Sequence, residues 1–442
     1  MNILILDNMV NGVNIALRWN KAGHHCRLVL PPDKKTHMRI SIGDGLVEKI
    51  ERQEWQKSMN WADLVITTDN NKWLRELDIY RKKGFPILSP SFESAQLELI
   101  RDKGQQFFKK CGLKIIDYQM FSDYAKAKKY VMDTRGTYVS KPNGDRDKAL
   151  SYLSHSAADM LYMLTRWQER NKDFGAFMLQ EFVPGVEFAV AGWLGPKGFC
   201  QYIEESFEHK KFMNDDKGPN TGEMGTAIKY VEDSALAKEV LLPLERGLIQ
   251  MGHTGSFNVN VIVDEDGVPR PLECTARLGW PANNIVQPLH PEPVEWMVDL
   301  LDGKDTFRPL TDHAIGVVLT IPEFPYSKLT KKEVSGVPIY NLDDENPYRE
   351  FLAPCDVMHG KAPAMVDDEL VLDKNLMVSS GDYLCVATGL GDTVREAQKE
   401  AYAAVDSLEV PDDLMYRTDI GARVKKALPE LQDRGFALDW RW

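Results

Sequence analysis

The residues best spaced for chemistry lie in GSFNVNVIVDEDGVPRPLECTARLGWP, from Gly255 to Pro281. Two β-type runs, 256–263 and 270–274, flank the DEDG tetrapeptide at 264–267, a turn of hairpin type. A hairpin closed there brings Asn258, Asn260, Glu273 and Thr275 near one another. Residues two apart on a strand share a face, so Glu273 and Thr275 can serve one ligand, with Asn260 contributing from the facing strand. Such oxygen donors suit Mg²⁺ (or Mn²⁺), which takes one or two carboxylates and completes its shell with phosphates and water. Arg277 can then neutralise a phosphoryl oxygen. The bland alternative is a hairpin with a solvated polar face. The apolar residues around Glu273 weigh against it, because an acid among them needs a partner.

Transfer of the γ-phosphoryl group of ATP also needs cations on the phosphates and groups that read base and ribose. Lys103 and Lys141 are candidates for the phosphates, the second closing an apolar run in YVSKPNGDRDK. The loop after it, 143–148, has one glycine and makes a poor phosphate cradle by itself. In MLQEFVPGVEF, Glu181 and the backbone of Val183 can face an adenine edge, and Glu187 the ribose hydroxyls. A lone lysine is more often a solvated charge, and the two acids fit an edge strand and turn equally well. The spacing of these pieces to Glu273 carries the case.

Elements must hold these groups in place. Apolar runs at 2–6, 26–30, 63–67 and 85–88 alternate with helical patterns, which predicts parallel strands with crossover helices. The stretch 91–110 reads as one helix closed by Gly112. Strands at 138–141 and 177–182 bracket a helix at 157–168. Strands at 188–193 and 198–204, a polar loop at 210–225 and a helix at 235–251 follow. Beyond 312 the texture turns to short β runs, 314–321 and 383–388, with a helix at 395–407. The fold class is α/β with a β-richer C-terminal region.

The 442 residues imply about three domains. A formal net charge of -12 argues against a protein that coats nucleic acid. Six scattered cysteines without a CxxC pair read as reduced thiols. The opening MNILILDNMVNG enters a strand directly, and no run of about 18 apolar residues occurs, so a cytoplasmic protein without a membrane span is expected.

The most specific string is HKKFMNDDKGPNTGEMG, from His209 to Gly225. It resembles the substrate loop of the glycinamide ribonucleotide synthetase (phosphoribosylamine–glycine ligase) family, within the ATP-grasp superfamily. LECTARLGWP resembles that family's Mg²⁺ strand, AIGVVLTIPEFPY the opening of its C-terminal lobe, and VATGLGDTVREAQKEAYAAVDSL with YRTDIGARV its C-terminal domain. The resemblance spans about residues 103–424. It implies an N-terminal parallel α/β domain over 1–100 and a two-lobed ATP-grasp core over 101–310, with a small lobe near 113–175. A C-terminal mixed α/β domain over 311–442 completes it. By the same resemblance Lys103, Lys141, Glu181 and Glu187 meet ATP and Glu273 holds Mg²⁺, beside the Val183 backbone, Thr275 and Asn260 that the strand and hairpin reading adds. Arg277, Lys210, His209 and Asp216 act on the reacting groups, while Asn220, Thr221, Gly222, Met224 and Trp280 line the substrates. The implied activity is ADP-forming ligation of a small, glycine-like carboxylate to an amine through an acyl-phosphate, in purine biosynthesis. A monomer or homodimer is expected.

Departures gather on the acceptor side. The family opens with a glycine-rich loop carrying Arg, Glu and His, where this chain has DNMVNGVNIALRW. Its metal strand carries Asn where Thr275 stands, and its Asp-Pro-Glu is replaced by Trp280, Pro281 and Ala282. Three readings stay open: a divergent synthetase, a paralogue with another amine or carboxylate, and a nucleotide-binding protein without turnover. The retained Glu273, Arg277 and His-Lys-Lys start favour an enzyme.

Overall fold

The computed structural model describes residues 1–8, 11–30, 41–143, 151–170, 175–322, 324–326, 335–411 and 414–442. The loop considered as a phosphate cradle at 143–148 falls outside these from Gly144 onward.

The first sheet is parallel throughout, in the order β3-β2-β1-β4-β5: β1 Asn2–Leu6, β2 His25–Val29, β3 Glu48–Lys49, β4 Leu64–Thr67 and β5 Ile87–Leu88. Every residue of Leu64–Thr67 is buried, as are Ile3 to Leu6. Such unbroken apolar runs fit a sheet covered on both faces rather than one with a wet side.

A four-stranded antiparallel sheet, ordered β6-β9-β7-β8, follows: β6 Tyr118–Phe121, β7 Tyr138–Pro142, β8 Tyr152–Leu153 and β9 Phe177–Glu181. The helices Tyr124–Thr134 and Ala157–Glu169 pack on it through Ala127, Val131, Met160 and Leu164.

The largest sheet has nine strands. It contains β10 Gly185–Gly195, β11 Gly198–Phe199 and β12 Ile203–Glu208. After a small hairpin, β13 Lys211–Met213 with β14 Lys217–Asn220, it continues with β15 Gly225–Val231, β16 Gly255–Asp264 and β17 Pro269–Thr275. β18 His313–Thr320, β19 Leu352–Pro354 and, beyond a separate ribbon of β20 Val357–Val366 and β21 Glu369–Ser379, β22 Tyr383–Gly391 complete it. The order is β17-β16-β10-β12-β15-β18-β22-β19, with β11 on β10. The sheet therefore runs unbroken across the boundary expected at 310/311, since β15 pairs with β18. The helix Val394–Asp406, opened by a Thr393/Glu396 capping box, covers it.

Three local expectations change. The single helix over 91–110 is two, Phe92–Leu99 and Arg101–Lys110, because Ile100 is extended. The strand expected at 198–204 is a two-residue strand followed by β12, shifted toward Glu208. The polar loop at 210–225 contains the β13–β14 hairpin. Gly112, at φ +91, does close its helix. All six cysteines are free, five of them buried. Among the described residues no helix is long and apolar enough to cross a membrane.

Candidate active site

Two cavities meet where the four-stranded sheet faces the end of the nine-stranded sheet. The larger, about 300 Å³, has Val139, Lys141, Tyr152, Glu181, Val183 and Leu272 in its walls. The smaller, about 130 Å³, is bounded by Glu98, Glu208, Glu223, Asn258, Arg277 and Trp280. Arg101, Lys210, Gly222 and Glu273 belong to both walls, so these four form the passage between them. A roomier cavity of about 440 Å³, between the helix Gly12–Lys21 and the β20–β21 ribbon, lies elsewhere and is edged by ion pairs of Lys21 with Asp344 and Glu350.

The passage is a dense knot of charge. Lys210 Nζ donates to Glu187 Oε1 at 2.9 Å, with Glu208 at 3.1 Å and Glu273 at 3.6 Å. Arg101 donates to Glu273 Oε2 at 2.5 Å. Burial would lower the Lys210 ammonium, but Glu187, Glu208 and Glu273 together hold it well above the usual lysine range. Burial would raise Glu273, yet Arg101, Lys210 and Lys141 keep it well below the usual carboxylate range. Glu187 is likewise lowered against burial by Lys210 and Arg423. Burial pushes Lys141 down to about 8, and its Nζ donates to the Leu272 carbonyl at 3.3 Å.

The β16–β17 hairpin pairs Asn258 with Thr275 and Asn260 with Glu273, as the spacing implied. Asn258 Oδ1 is buried without a partner among the described residues. With Glu273 and Thr275 it offers oxygen donors at one end of the smaller cavity, a set that fits a hard divalent cation. No group of three or more His, Cys, Asp or Glu forms a self-contained metal cage among the described residues. An ion here would take its remaining ligands from phosphates and water.

Other sequence candidates separate. Glu181, Val183 and Glu187 line the larger cavity with Asn220, Thr221 and Gly222. Asn220 donates to the Ser151 carbonyl at 2.7 Å, and Thr221 to that of Lys210 at 2.9 Å. Arg277 pairs with Glu98 at 3.2 Å, and Trp280 packs edge-on against Tyr383 at 5.1 Å. Four side chains, those of Lys103, His209, Asp216 and Met224, stand apart from the places expected of them. Lys103 is exposed and borders neither cavity; the break at Ile100 turns Arg101 inward instead. His209 is buried outside both cavities, its Nε2 accepting from the Gly421 amide at 3.3 Å. Burial, then Arg423 and Arg417, hold its imidazole well below the usual range, so it is neutral and no anion attractor. Asp216 pairs with Arg417 at 2.8 Å and so is committed to the C-terminal region. Met224 is fully buried, serving through its backbone. Asn260 donates its Nδ2 to Glu208 Oε2 at 2.7 Å, a bond that does not use the Oδ1 through which an asparagine holds a metal, and it lines the smaller cavity with Asn258.

Arg101, Glu98, Glu208 and Glu223 were missed. Their signal lay in tertiary pairing, except for Glu223, which stands inside the GPNTGEMG string. Glu223 is 5% exposed, and burial with the neighbouring Glu208 raises its carboxyl well above the usual range. At the C-terminal ends of β1 and β4, where open parallel sheets place ligand crevices, Asp7, Asn11, Asp69 and Asn70 are buried. These replace the basic glycine-rich loop of the resembling family with acids and amides.

A four-stranded and a nine-stranded sheet enclosing a carboxylate–lysine knot, behind a parallel α/β domain, give the chain an ATP-grasp type of fold. Residues 102–282 match the family model described as phosphoribosylglycinamide synthetase, ATP-grasp (A) domain. Phosphoribosylamine–glycine ligase from Ralstonia nicotianae is 29% identical over 78% of this chain and 81% of its own length. The Streptococcus pneumoniae enzyme of the same name is 25% identical over 79% and 81%. The fold matches the crystal structure of phosphoribosylamine–glycine ligase from Thermotoga maritima with a TM-score of 0.72 at 20% identity, covering 95% of this chain and 100% of that one.

Proposed function

We propose that the chain is an ADP-forming, ATP-dependent carboxylate–amine ligase of the phosphoribosylamine–glycine ligase type, and that it belongs to purine synthesis. The observation that carries this reading is the passage: a nucleotide-sized cavity and a smaller one share Arg101, Lys210, Gly222 and Glu273. ATP in the larger cavity would direct its γ-phosphate at that passage, with Lys141 and Arg101 on the phosphates. Glu181 and the Val183 backbone would face the base, and Glu187 the ribose. Glu273, Asn258 and Thr275 would hold Mg²⁺, which when bound supplies charge neutralisation of the phosphates.

The carboxylate of a small amino acid in the second cavity attacks the γ-phosphorus, and ADP leaves. The amine then attacks the acyl carbon, loses a proton and expels phosphate. Lys210 suits the transfer because three carboxylates keep it charged and aimed at the passage. Arg101 offers a second fixed cation there. The hairpin from Lys211 to Asn220 lies over the larger cavity through Lys211 and Asn220, where it would limit water and hence hydrolysis of the acyl-phosphate. A cytoplasmic location accords with this role.

The test is the product pair. ATP, Mg²⁺, glycine and amine should give ADP and phosphate in equal amounts. Substrate-dependent AMP and pyrophosphate, with no ADP, would sink the acyl-phosphate route. A second reading, the same chemistry with another amine, is favoured by Trp280 in the wall of the smaller cavity.

A further inference from the structure

The smaller cavity is lined by four carboxylates, Glu98, Glu208, Glu223 and Glu273, and three cations, Arg101, Lys210 and Arg277. Every cation is committed: Arg101 to Glu273, Arg277 to Glu98, and Lys210 to Glu187, Glu208 and Glu273. Three of the carboxylates are committed as well. Glu98 also accepts from the Ala276 amide at 2.9 Å, and Glu208 from Asn260 at 2.7 Å.

Glu223 stands apart. Its Oε1 is enclosed and has no hydrogen-bond partner among the described residues, and no cation forms an ion pair with it there. Such a group costs free energy unless something completes it. Its backbone is held firmly: the carbonyl accepts from Tyr383 OH at 2.7 Å, and the next amide, of Met224, donates to the His209 carbonyl at 2.8 Å. An acid fixed in this way against a cavity wall is a waiting partner for a cation brought by a ligand.

We propose that Glu223 holds the ammonium group of the amino-acid substrate and is the residue that sets its preference over a simple or hydroxy acid. The proposal rests on the ligase reading and assigns a specificity-determining residue to it. A zwitterion spanning the cavity would set its carboxylate at the passage, beside Arg101 and Lys210, and its ammonium on Glu223. At about 130 Å³ the space favours a small one. Asp216, seven positions earlier, is not available for this, because Arg417 takes it. A charge-assisted hydrogen bond is worth about 1.5–3 kcal/mol, roughly 10- to 100-fold in binding.

The test replaces the amine with hydroxylamine, which traps an acyl-phosphate as a hydroxamate and releases phosphate. The acids are glycine and L-alanine against glycolate and L-lactate, which carry hydroxyl for ammonium. The wild-type chain should prefer the amino acid at least about tenfold in kcat/KM. Glu223→Gln should raise KM for glycine by a similar factor, leave KM for ATP nearly unchanged, and erase the preference. Equal use of glycine and glycolate, or an unaltered glycine KM in Glu223→Gln, overturns the assignment while the ligase reading stands. If no acid yields hydroxamate or acid-dependent ADP, it is the ligase reading that falls. Glycine binding, followed by ligand-observed NMR, then judges Glu223 alone: loss in Glu223→Gln supports the assignment, and equal binding or none to the wild type overturns it.

Discussion

Glu273 touches Arg101 at 2.5 Å and lies 3.6 Å from Lys210, in the wall common to both cavities. Glu273→Gln keeps its shape and removes the charge expected to hold the metal. Lys210 retains Glu187 and Glu208, so the fold should survive. The rate of ADP formation should fall about 10²-fold or more, with ATP affinity little changed and the melting temperature lowered, because Arg101 loses the carboxylate it pairs with. A variant as fast as the wild type would mean that the metal is held elsewhere. Trp280 is the residue that should set the amine. It lines the smaller cavity beside Ala282 and rests edge-on against Tyr383. An indole stacks on flat rings and attracts cations through its face, but it cannot accept hydrogen bonds from a sugar as a carboxylate does. On the second reading phosphoribosylamine should therefore be a poor acceptor beside amines with a planar or less polar body. Brisk turnover with phosphoribosylamine, indifferent to Trp280→Asp, would restore the plain synthetase reading and leave Trp280 as packing against Tyr383.

The β13–β14 hairpin has few apolar residues to anchor it, and the C-terminal segment fastens it instead. Arg417, buried to 2%, donates to the Lys211 carbonyl at 3.0 Å, to Asp216 at 2.8 Å and to Asp419 at 2.7 and 2.8 Å. Asp419 also accepts from the Asp215 amide at 2.9 Å. Arg417→Ala should loosen this hairpin. Because Asp216 is about half exposed, the stability cost should fall below the roughly 3–5 kcal/mol of a fully buried pair. Hydrogen exchange should accelerate in 211–220, and KM for ATP and acid should rise together. Unchanged protection across that segment would show that the clasp does not order the loop. The Ile100 break acts at the same scale, since it sends Arg101 rather than Lys103 to the passage.

Across the whole molecule, buried histidines tie stability to pH. Burial pushes His253 to about 3 with Arg81 adding, His290 to about 3 with Arg18, and His313 to about 4 with Lys229. Their folded values lie below the unfolded one, so the unfolded chain binds more protons in between. This stability is complete above about pH 6.5 and is lost as pH falls toward the folded values. Urea midpoints should be flat from neutral pH upward and decline below about 6.5. Imidazole NMR signals of these three residues should not titrate above pH 5 or so, in line with those shifts. Titration near the ordinary histidine value in the folded protein would refute the linkage. The nine-stranded sheet carries strands from both sides of residue 311, so loss of its core should melt the C-terminal region with the ATP-grasp core in one transition.

The sequence determined what local patterning can encode. Apolar runs fixed β1, β2 and β4, Gly112 and the Thr393/Glu396 box fixed helix ends, and the DEDG turn fixed the β16–β17 hairpin and with it Glu273 opposite Asn260. Those features depend on neighbours a few residues apart, where sterics and hydrogen bonding act within the segment itself. The GPNTGEMG string likewise points to a loop whose residues line both cavities. Only the tertiary structure decided which side chains of these elements reach the site. Arg101, opening the helix after the extended Ile100, lines both cavities while Lys103 is exposed, a pairing some two hundred residues distant takes Asp216, and burial holds His209 well below the usual histidine range. Charges are assigned by partners brought together across the chain, and those pairings leave no mark on spacing. So the sequence could name the chemistry and Lys210, while the fold placed Arg101 and Glu223 in the same cavity wall.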